Sequence, residues 1–235
     1  MRRFALAACL LISACDSAPP PAPAADTTLA ETHGRQNGDY YDYLALGEIN
    51  VLAKAGGRAR REETALILAL GDGRTKTLQT RDNCLTPSSK ECTLYHLMAL
   101  WPSRHAFLVH KGYYQGGDFL LIDDRDGQET VLTGLPIFGP DPSRFVVLTA
   151  DAPGREANIE IYRIADGRPE REWSAGRLDD AQMMWRSLRF VGWDESGINV
   201  EVRGTVSDSA AQTSAKYLVA GHDGEWRVTR LEAPK

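Results

Sequence analysis

The dipeptide Asp-Gly occurs four times in this chain of 235 residues, each time between two short runs of β-forming residues. Glycine accepts the positive φ of a tight turn, so Asp-Gly between two such runs is a strong signal for a β-hairpin. The four copies begin at Asp72, Asp126, Asp166 and Asp223. The sequence therefore predicts four hairpins, which close four units at roughly 44–81, 94–134, 135–176 and 183–232.

A second mark repeats earlier in these units. Pro102-Ser103-Arg104 and Pro142-Ser143-Arg144 lie forty residues apart, and each precedes a strand-like run. Trp193 to Gly197 occupies the same place in the last unit, while the first unit has no clear copy. Units of about forty residues with four short strands are typical of the blades of β-propellers.

The residues from Phe138 to Thr149 resemble the repeat of TolB-like β-propellers, whose pattern is Phe-Ser-Pro-Asp-Gly followed by a strand. Here Pro142 stands in place of the glycine. The resemblance implies an all-β fold of antiparallel short-strand units, as a small propeller or propeller-like ring of about four units. The same strands and turns also allow a β-sandwich or an open meander.

The remaining pattern predicts few helices. No stretch after Cys15 keeps a long apolar period of 3.6 residues, and Leu178–Leu188 is the best helical candidate. Gly47–Ala53 is expected to be a strand.

The N-terminus has the pattern of a targeting signal. Met1-Arg2-Arg3 precedes an apolar run from Phe4 to Ile12, which is too short to span a bilayer as a helix and has the charged start of a signal peptide. The ending Ile-Ser-Ala-Cys15 resembles the lipobox of bacterial lipoproteins, which implies cleavage before Cys15 and acylation of that cysteine. A plain secretory signal with an incidental cysteine is the alternative.

This resemblance divides the chain into three parts. Residues 1–14 are expected to be the signal peptide, 15–38 the lipidated cysteine with a Pro/Ala-rich linker, and 39–235 a single all-β domain. The domain is expected in the cell envelope, facing the periplasm. Asp16 resembles the inner-membrane retention signal of enteric bacteria and so favours the inner membrane, although the choice of membrane stays open.

Charge and cysteine content exclude some classes of function. Without Arg2 and Arg3 the mature chain keeps 25 basic against 32 acidic residues, a net charge of −7, which argues against binding nucleic acid. Cys84 and Cys92 flank a polar loop, and two close cysteines in an oxidising envelope predict a disulfide worth about 2–3 kcal/mol. Their spacing does not suit zinc, and no cofactor or metal is expected.

The candidate binding residues come from the propeller hypothesis. The second and third strands of each blade are joined by loops that share one face, and here those loops are the long ones: Ala55–Glu63, Gly112–Asp118, Ala150–Asn158 and Gly204–Ala215. Tyrosine with arginine is favourable for a protein-binding surface. The candidates on this face are Arg58, Tyr113, Tyr114, Asp118 and Arg155.

No catalytic motif accompanies these loops. The leading hypothesis is a membrane-anchored lipoprotein whose β domain binds another envelope protein or a peptide without catalysis. One alternative is a small-ligand or glycan binder that uses Tyr113, Tyr114 and tryptophans. A second alternative is an unrecognised hydrolase, because active sites need not leave a linear motif.

Overall fold

The computed structural model describes residues 27–28, 39–82, 92–113, 116–149, 157–176, 183–194, 197–206, 212–222 and 225–231. Within these ranges β-strands dominate and form four antiparallel sheets. Each sheet is built mainly from strands that follow one another in the chain. The prediction of a β-rich chain with four short-strand units is therefore confirmed at this level.

Sheets 1 and 2 come from the first half of the chain. Sheet 1 has the order β2-β3-β4, with β2 at Ala59–Glu62, β3 at Ala65–Ala69 and β4 at Thr75–Gln79. Sheet 2 has the order β1-β6-β7-β8-β9, with β1 at Thr27–Thr28, β6 at Cys92–Trp101, β7 at Ala106–Tyr113, β8 at Gly116–Asp123 and β9 at Glu129–Leu132. The short β5, at Arg81–Asp82, also pairs with β6.

Sheets 3 and 4 are four-stranded meanders. Sheet 3 contains β10 at Pro136–Phe138, β11 at Arg144–Thr149, β12 at Asn158–Ala165 and β13 at Arg168–Ala175. Sheet 4 contains β14 at Met183–Asp194, β15 at Gly197–Val206, β16 at Gln212–His222 and β17 at Glu225–Leu231.

The prediction of a strand at Gly47–Ala53 is wrong, because these residues belong to a long helix, α1, at Asp39–Lys54. Leu44, Glu48, Val51 and Ala55 are all buried, and their spacing is that of one helical face that continues just past the end of α1. Glu48 interrupts the apolar pattern of that face with a charge. The helical period was therefore present in the sequence but hidden by one polar residue.

The sheets pack face to face in chain order. One core cluster joins α1 and sheet 1 to sheet 2 and includes Leu66, Leu68, Phe107 and Ile122. A second cluster joins sheets 2 and 3 around Leu108, Leu121, Phe145 and Tyr162. A third joins sheets 3 and 4 around Ile159, Ile161, Val200 and Tyr217. Each inner sheet is thus apolar on both faces.

The two end sheets are polar on their far faces. In sheet 1, Arg60 and Thr77 lie across from Ile67, on the side opposite the core residues, and both are exposed. In sheet 4, Arg189 is paired with Glu201 on the equivalent far face. Among the described residues, no core cluster contains members of both sheet 1 and sheet 4.

The outer edge of β6 is covered along its length. β5 pairs with its start, and Thr27–Thr28 pairs with Ala99 and Leu100 near its end. Between them, Thr80 accepts a hydrogen bond from the Tyr95 N–H, and Glu48 accepts one from the Leu97 N–H at 2.7 Å. Such covering satisfies backbone groups that a bare edge strand leaves open to other chains.

Three further sequence expectations change. Within Leu178–Leu188, the described residues from Met183 onward belong to strand β14 and not to a helix. The expected loop Ala55–Glu63 contains strand β2. Two residues of the expected linker, Thr27 and Thr28, pair with sheet 2. In the part of the chain that the structure describes, no helix has the length and apolar character needed to cross a membrane.

Candidate functional site

The three predicted binding residues that the structure describes, Arg58, Tyr113 and Asp118, do not lie on one surface. Tyr113 and Asp118 lie at the β7–β8 end of sheet 2, where the tyrosine hydroxyl donates to Asp118 Oδ2 at 2.8 Å. Lys111 Nζ lies 5.5 Å from the centre of the Tyr113 ring. Tyr114 and Arg155 lie outside the described residues.

Arg58 lies at the other end of sheet 2. Its guanidinium pairs with Asp124 Oδ2 at 2.7 Å, in the turn that follows β8. Asp118 and Asp124 are six residues apart along an extended strand, a span of roughly 20 Å. Arg58 therefore belongs to the face of the short turns, because it lies just before strand β2 and pairs with the turn that follows β8.

The predicted covalent features concern three cysteines, Cys15, Cys84 and Cys92. Cys15 and Cys84 lie outside the described residues. Cys92 begins β6 and is buried. The lipidation of Cys15 and the pairing of Cys84 with Cys92 stay predictions.

A cleft of about 480 Å³ opens between sheets 2 and 3, on the face of the short turns. Its apolar wall comes from both sheets: Ala106 and Leu121 belong to sheet 2, and Phe138, Ile164 and Pro169 belong to sheet 3. Leu121 and Phe138 are also part of the core cluster that joins these two sheets. The cleft is therefore an opening in the packed interface between the two sheets.

The first rim of the cleft is the turn between β6 and β7. Residues Pro102–Arg104 form a short 3-10 turn, and His105 ends it in the left-handed region with φ of 51°. Arg104 places its guanidinium carbon 4.2 Å from the centre of the Phe138 ring, a cation–π contact between the two sheets. Trp101 packs edge-on against the same ring at 5.2 Å.

His105 is fixed by a buried carboxylate. Its Nδ1 lies 3.1 Å from Asp124 Oδ1, and the Asp124 side chain is only 4 % exposed. The Asp124 N–H also donates to the His105 carbonyl at 2.8 Å. Arg58 holds the other carboxylate oxygen, so Asp124 fixes the backbone and the ring of His105 together.

The second rim is a network of arginines that ties sheet 2 to sheet 3. Arg168 donates to Asp126 at 2.6 Å, and the Arg125 guanidinium donates to the Gly167 carbonyl at 3.2 Å. Arg125 also binds Asp123 at 2.5 Å. Burial would raise the pKa of Asp123, but hydrogen bonds from the Arg125 side chain and backbone outweigh it and lower that pKa.

A buried polar cluster lies deeper between the same sheets. Glu160, which is 3 % exposed, accepts hydrogen bonds from Arg171 at 2.8 Å and from Thr133 at 3.0 Å. The Tyr162 hydroxyl donates to the same carboxylate at 3.3 Å. Burial, with the Glu160 charge, raises the pKa of Tyr162 to about 12, so the phenol stays a donor. This cluster is fully satisfied and serves to hold the sheets together.

Two histidines face each other across β6 and β7. His96 and His110 occupy opposite positions in the register, on the side of sheet 2 that faces sheet 3. Burial lowers the pKa of both, and that of His110 falls to about 4 with the help of nearby His96. No group of three or more metal-ligating side chains occurs among the described residues.

The sequence contained part of the signal for this cleft. Pro-Ser-Arg is a repeat mark of the sequence, and the turn that it forms supplies the rim. A second signal is an aromatic residue at the end of the first strand of three units. Trp101, Phe138 and Trp193 pair with residues at or next to the start of the following strand, namely Ala106, Phe145 and Ile198.

The arrangement can bind an apolar group in its wall and hydrogen-bonding groups at its rim. No protein-family model, no curated protein and no solved structure matches this chain.

Proposed function

We propose that this chain is a membrane-anchored lipoprotein of the bacterial cell envelope whose β domain binds a peptide segment of another protein without catalysis. The lipobox-like ending at Cys15, the signal-like leader and the following Pro/Ala-rich stretch support the anchor and the location. Asp16 favours the inner membrane.

The cleft between sheets 2 and 3 carries the binding part of the proposal. Ligand sites are concave, mostly apolar and supplied with a few placed polar groups, with volumes of about 300–1,000 Å³. The cleft has this form, and its volume suits one or two amino-acid side chains better than a folded surface. Its walls are strands and tight turns, which keep a site preformed.

A glycan ligand receives less support. Sugars usually stack on exposed aromatic faces, but the ring of the lining residue Phe138 is covered by Arg104 and Trp101. We therefore prefer a peptide, whose alternating side chains fit a narrow slot between two sheets.

We also propose a propeller-like architecture that stays open. Four consecutive meanders packed face to face support the likeness to propeller blades. The polar far faces of sheets 1 and 4 favour a row over a closed ring, because end units of a stacked array need polar outer faces.

Photo-crosslinking in isolated membranes tests the binding function. A photoreactive phenylalanine replaces Gln128, an exposed residue at the cleft, and a control replaces Thr77, an exposed residue on the far face of sheet 1. We expect a discrete crosslinked product from position 128 and none from position 77. The Cys15→Ala variant should leave the membrane fraction and lose the product if the partner is a membrane protein.

The crosslinking results distinguish the cleft from the opposite end of sheet 2. A product from a third probe at Tyr113, with none from position 128, would move the interface to the opposite end of sheet 2. Equal labelling at positions 77 and 128 would contradict a specific site.

A further inference from the structure

Two strands that border the cleft are the last strands of their sheets. β9 ends sheet 2, and β13 ends sheet 3. Thr130 of β9 lines the cleft, as do Pro169 and Glu170 of β13. Each of these strands is hydrogen-bonded to its sheet along one side only, and the backbone groups on its other side form an edge to which an extended chain can add. The two edges differ in whether they can accept such a chain.

Pro169 blocks the edge of β13. The Ile164 N–H donates to the Ser143 carbonyl, so the backbone of Ile164 points towards β11. Hydrogen bonding alternates along an antiparallel strand, so Pro169, the register partner of Ile164, directs its backbone away from the sheet. Proline has no N–H, and the edge therefore lacks a donor at this position. The register of β12 and β13 also shifts between Ile161 and Tyr162, which interrupts the regular spacing of the edge.

The edge of β9 is open at Glu129 and Val131. The Asp123 N–H donates to the Gln128 carbonyl, and the hydrogen bonds between β8 and β9 recur at every second residue from there. Thr130 is therefore bonded to β8, whereas the N–H and C=O groups of Glu129 and Val131 point away from the sheet. Within the described residues of the chain, no group binds these outward backbone atoms.

The side chain of Val131 favours an apolar neighbour on this edge. It is 56 % exposed, more than any other large apolar side chain in the described strands. It lies on the face of sheet 2 that meets sheet 1, since its register partner Leu120 belongs to the core cluster of those two sheets. Thr130 faces the opposite side and lines the cleft. Adjacent residues of an added strand alternate in the same way, so one contacts Val131 and the next enters the cleft.

The charges beside this edge favour an uncharged occupant. Glu129 is paired with Lys76 at 2.8 Å, and Asp126 is paired with Arg168 at 2.6 Å. These side chains compensate one another within the protein and leave no excess of either sign for a charged ligand. The outward N–H and C=O groups of β9 are instead complementary to the alternating C=O and N–H groups of an extended backbone.

We propose that a segment of a partner protein binds in extended form as an added strand beside β9. Its backbone hydrogen-bonds to Glu129 and Val131. Of two adjacent apolar residues in the segment, one covers Val131 and the other places its side chain in the cleft beside Thr130. This assignment rests on the proposed peptide-binding function and specifies the ligand as an uncharged strand with two adjacent apolar residues and no proline at its centre.

Fluorescence polarisation with defined peptide pools tests the ligand class on the full-length protein in detergent. Each pool contains fluorescein-labelled octapeptides in which the two central residues are fixed as Leu-Val or Ser-Ser and the others are drawn from Ser, Thr and Gln. We expect the Leu-Val pool to bind at least tenfold more tightly than the Ser-Ser pool. Two further Leu-Val pools carry a methyl group on one central amide nitrogen, either that of Leu or that of Val. Only one of two adjacent amides faces β9 in an added strand, so one methylation should abolish binding and the other should leave it nearly unchanged.

Proline variants locate the edge. Val131→Pro removes an outward N–H of β9 and leaves the bonds to β8 in place, so we expect it to weaken binding of the Leu-Val pool about tenfold. Thr77→Pro is the matched control, because the bond from the Leu70 N–H to the Arg74 carbonyl sets the same alternation in β4, and Thr77 also points outwards, away from the cleft. Equal melting temperatures of the two variants exclude loss of fold as the cause, and the methylated peptides test the same bonds if Val131→Pro does not fold.

The possible results separate this binding mode from the function on which it rests. Equal binding by wild type and Val131→Pro, or equal loss from both methylations, together with a crosslink from position 128, would overturn strand addition and keep the peptide-binding function. A wild-type dimer that becomes a monomer in Val131→Pro, measured by light scattering, would assign the edge to a second copy of the chain and overturn the proposal. No binding by any pool would overturn the assignment, and an absent crosslink in addition would overturn the function.

Discussion

Glu48 is a charged residue that decides the position of a whole helix. It lies on the buried face of α1, where its carboxylate accepts hydrogen bonds from Arg61 at 2.5 Å and from the Leu97 N–H at 2.7 Å. Removing one partner of a buried pair costs about 3–5 kcal/mol, because the other charge is left uncompensated. The residue that hid the helix from the sequence pattern is thus also the residue that attaches it to sheet 2.

His110 predicts the pH dependence of stability at the residue scale. Its pKa is about 4 in the folded protein, whereas an unfolded histidine has a pKa of about 6.5. The unfolded chain therefore binds more protons between these values, and stability is full above pH 6.5 and falls as the pH falls. We expect His110 to lower the free energy of unfolding by about 1.5 kcal/mol between pH 6.5 and 5.

Urea unfolding at several pH values measures this loss. His110→Asn removes the titrating group, so the variant should lose less stability than wild type over the same interval. His96, whose pKa is also lowered by burial, should contribute in the same direction. If the free energy of unfolding fell equally with pH in wild type and in His110→Asn, the pH dependence could not be assigned to His110.

At the scale of elements, the four hairpins were predictable and helix α1 was not. Strand pairs β3–β4, β8–β9, β12–β13 and β16–β17 lie on either side of the four Asp-Gly dipeptides, as the turn chemistry predicted. A tight turn depends on two adjacent residues, so its signal is local. The helix in the first unit depends on a partner, Leu97, that lies 49 positions from Glu48 in the chain.

The turn at Asp72-Gly73 offers a clean test of that local chemistry. Gly73 has φ of +84°, and a methyl group added at its Cα would meet open space, so only the backbone resists a side chain there. We expect Gly73→Ala to lower the free energy of unfolding by about 1 kcal/mol. Gly192→Ala is the matched control, since Gly192 also has open space but no positive φ.

Chemical denaturation of the two alanine variants distinguishes backbone strain at a positive φ from the general effect of replacing glycine by alanine. The control should be neutral or slightly stabilising, because alanine restricts the unfolded chain more than glycine does. A loss at Gly192 as large as that at Gly73 would show that the turn conformation is not the cause.

At the scale of the whole molecule, the site was harder to predict than the fold. The cleft brings together residues of two sheets, such as Arg104 and Phe138, and its rim depends on long-range pairs such as Arg58 with Asp124. Strand periodicity indicates which residues face a neighbouring sheet but not how closely two sheets meet at one end. The long loops favoured Tyr113 and Arg58 as one surface, whereas the structure places them at opposite ends of sheet 2.

The arrangement of the four sheets gives the last prediction. Adjacent sheets pack about 10 Å apart, so a closed ring would bring sheets 1 and 4 to that spacing, whereas a row separates them by three intervals or roughly 30 Å. Spin labels at Arg60→Cys in sheet 1 and Val191→Cys in sheet 4 report this distance, and both positions are exposed. We expect roughly 30 Å for the row. Labels at Lys76→Cys and Glu129→Cys, whose native side chains meet at 2.8 Å across sheets 1 and 2, are the short-distance control. A distance for the first pair as short as that of the control would mean that the ring closes, and the polar far faces would then need partners within the molecule.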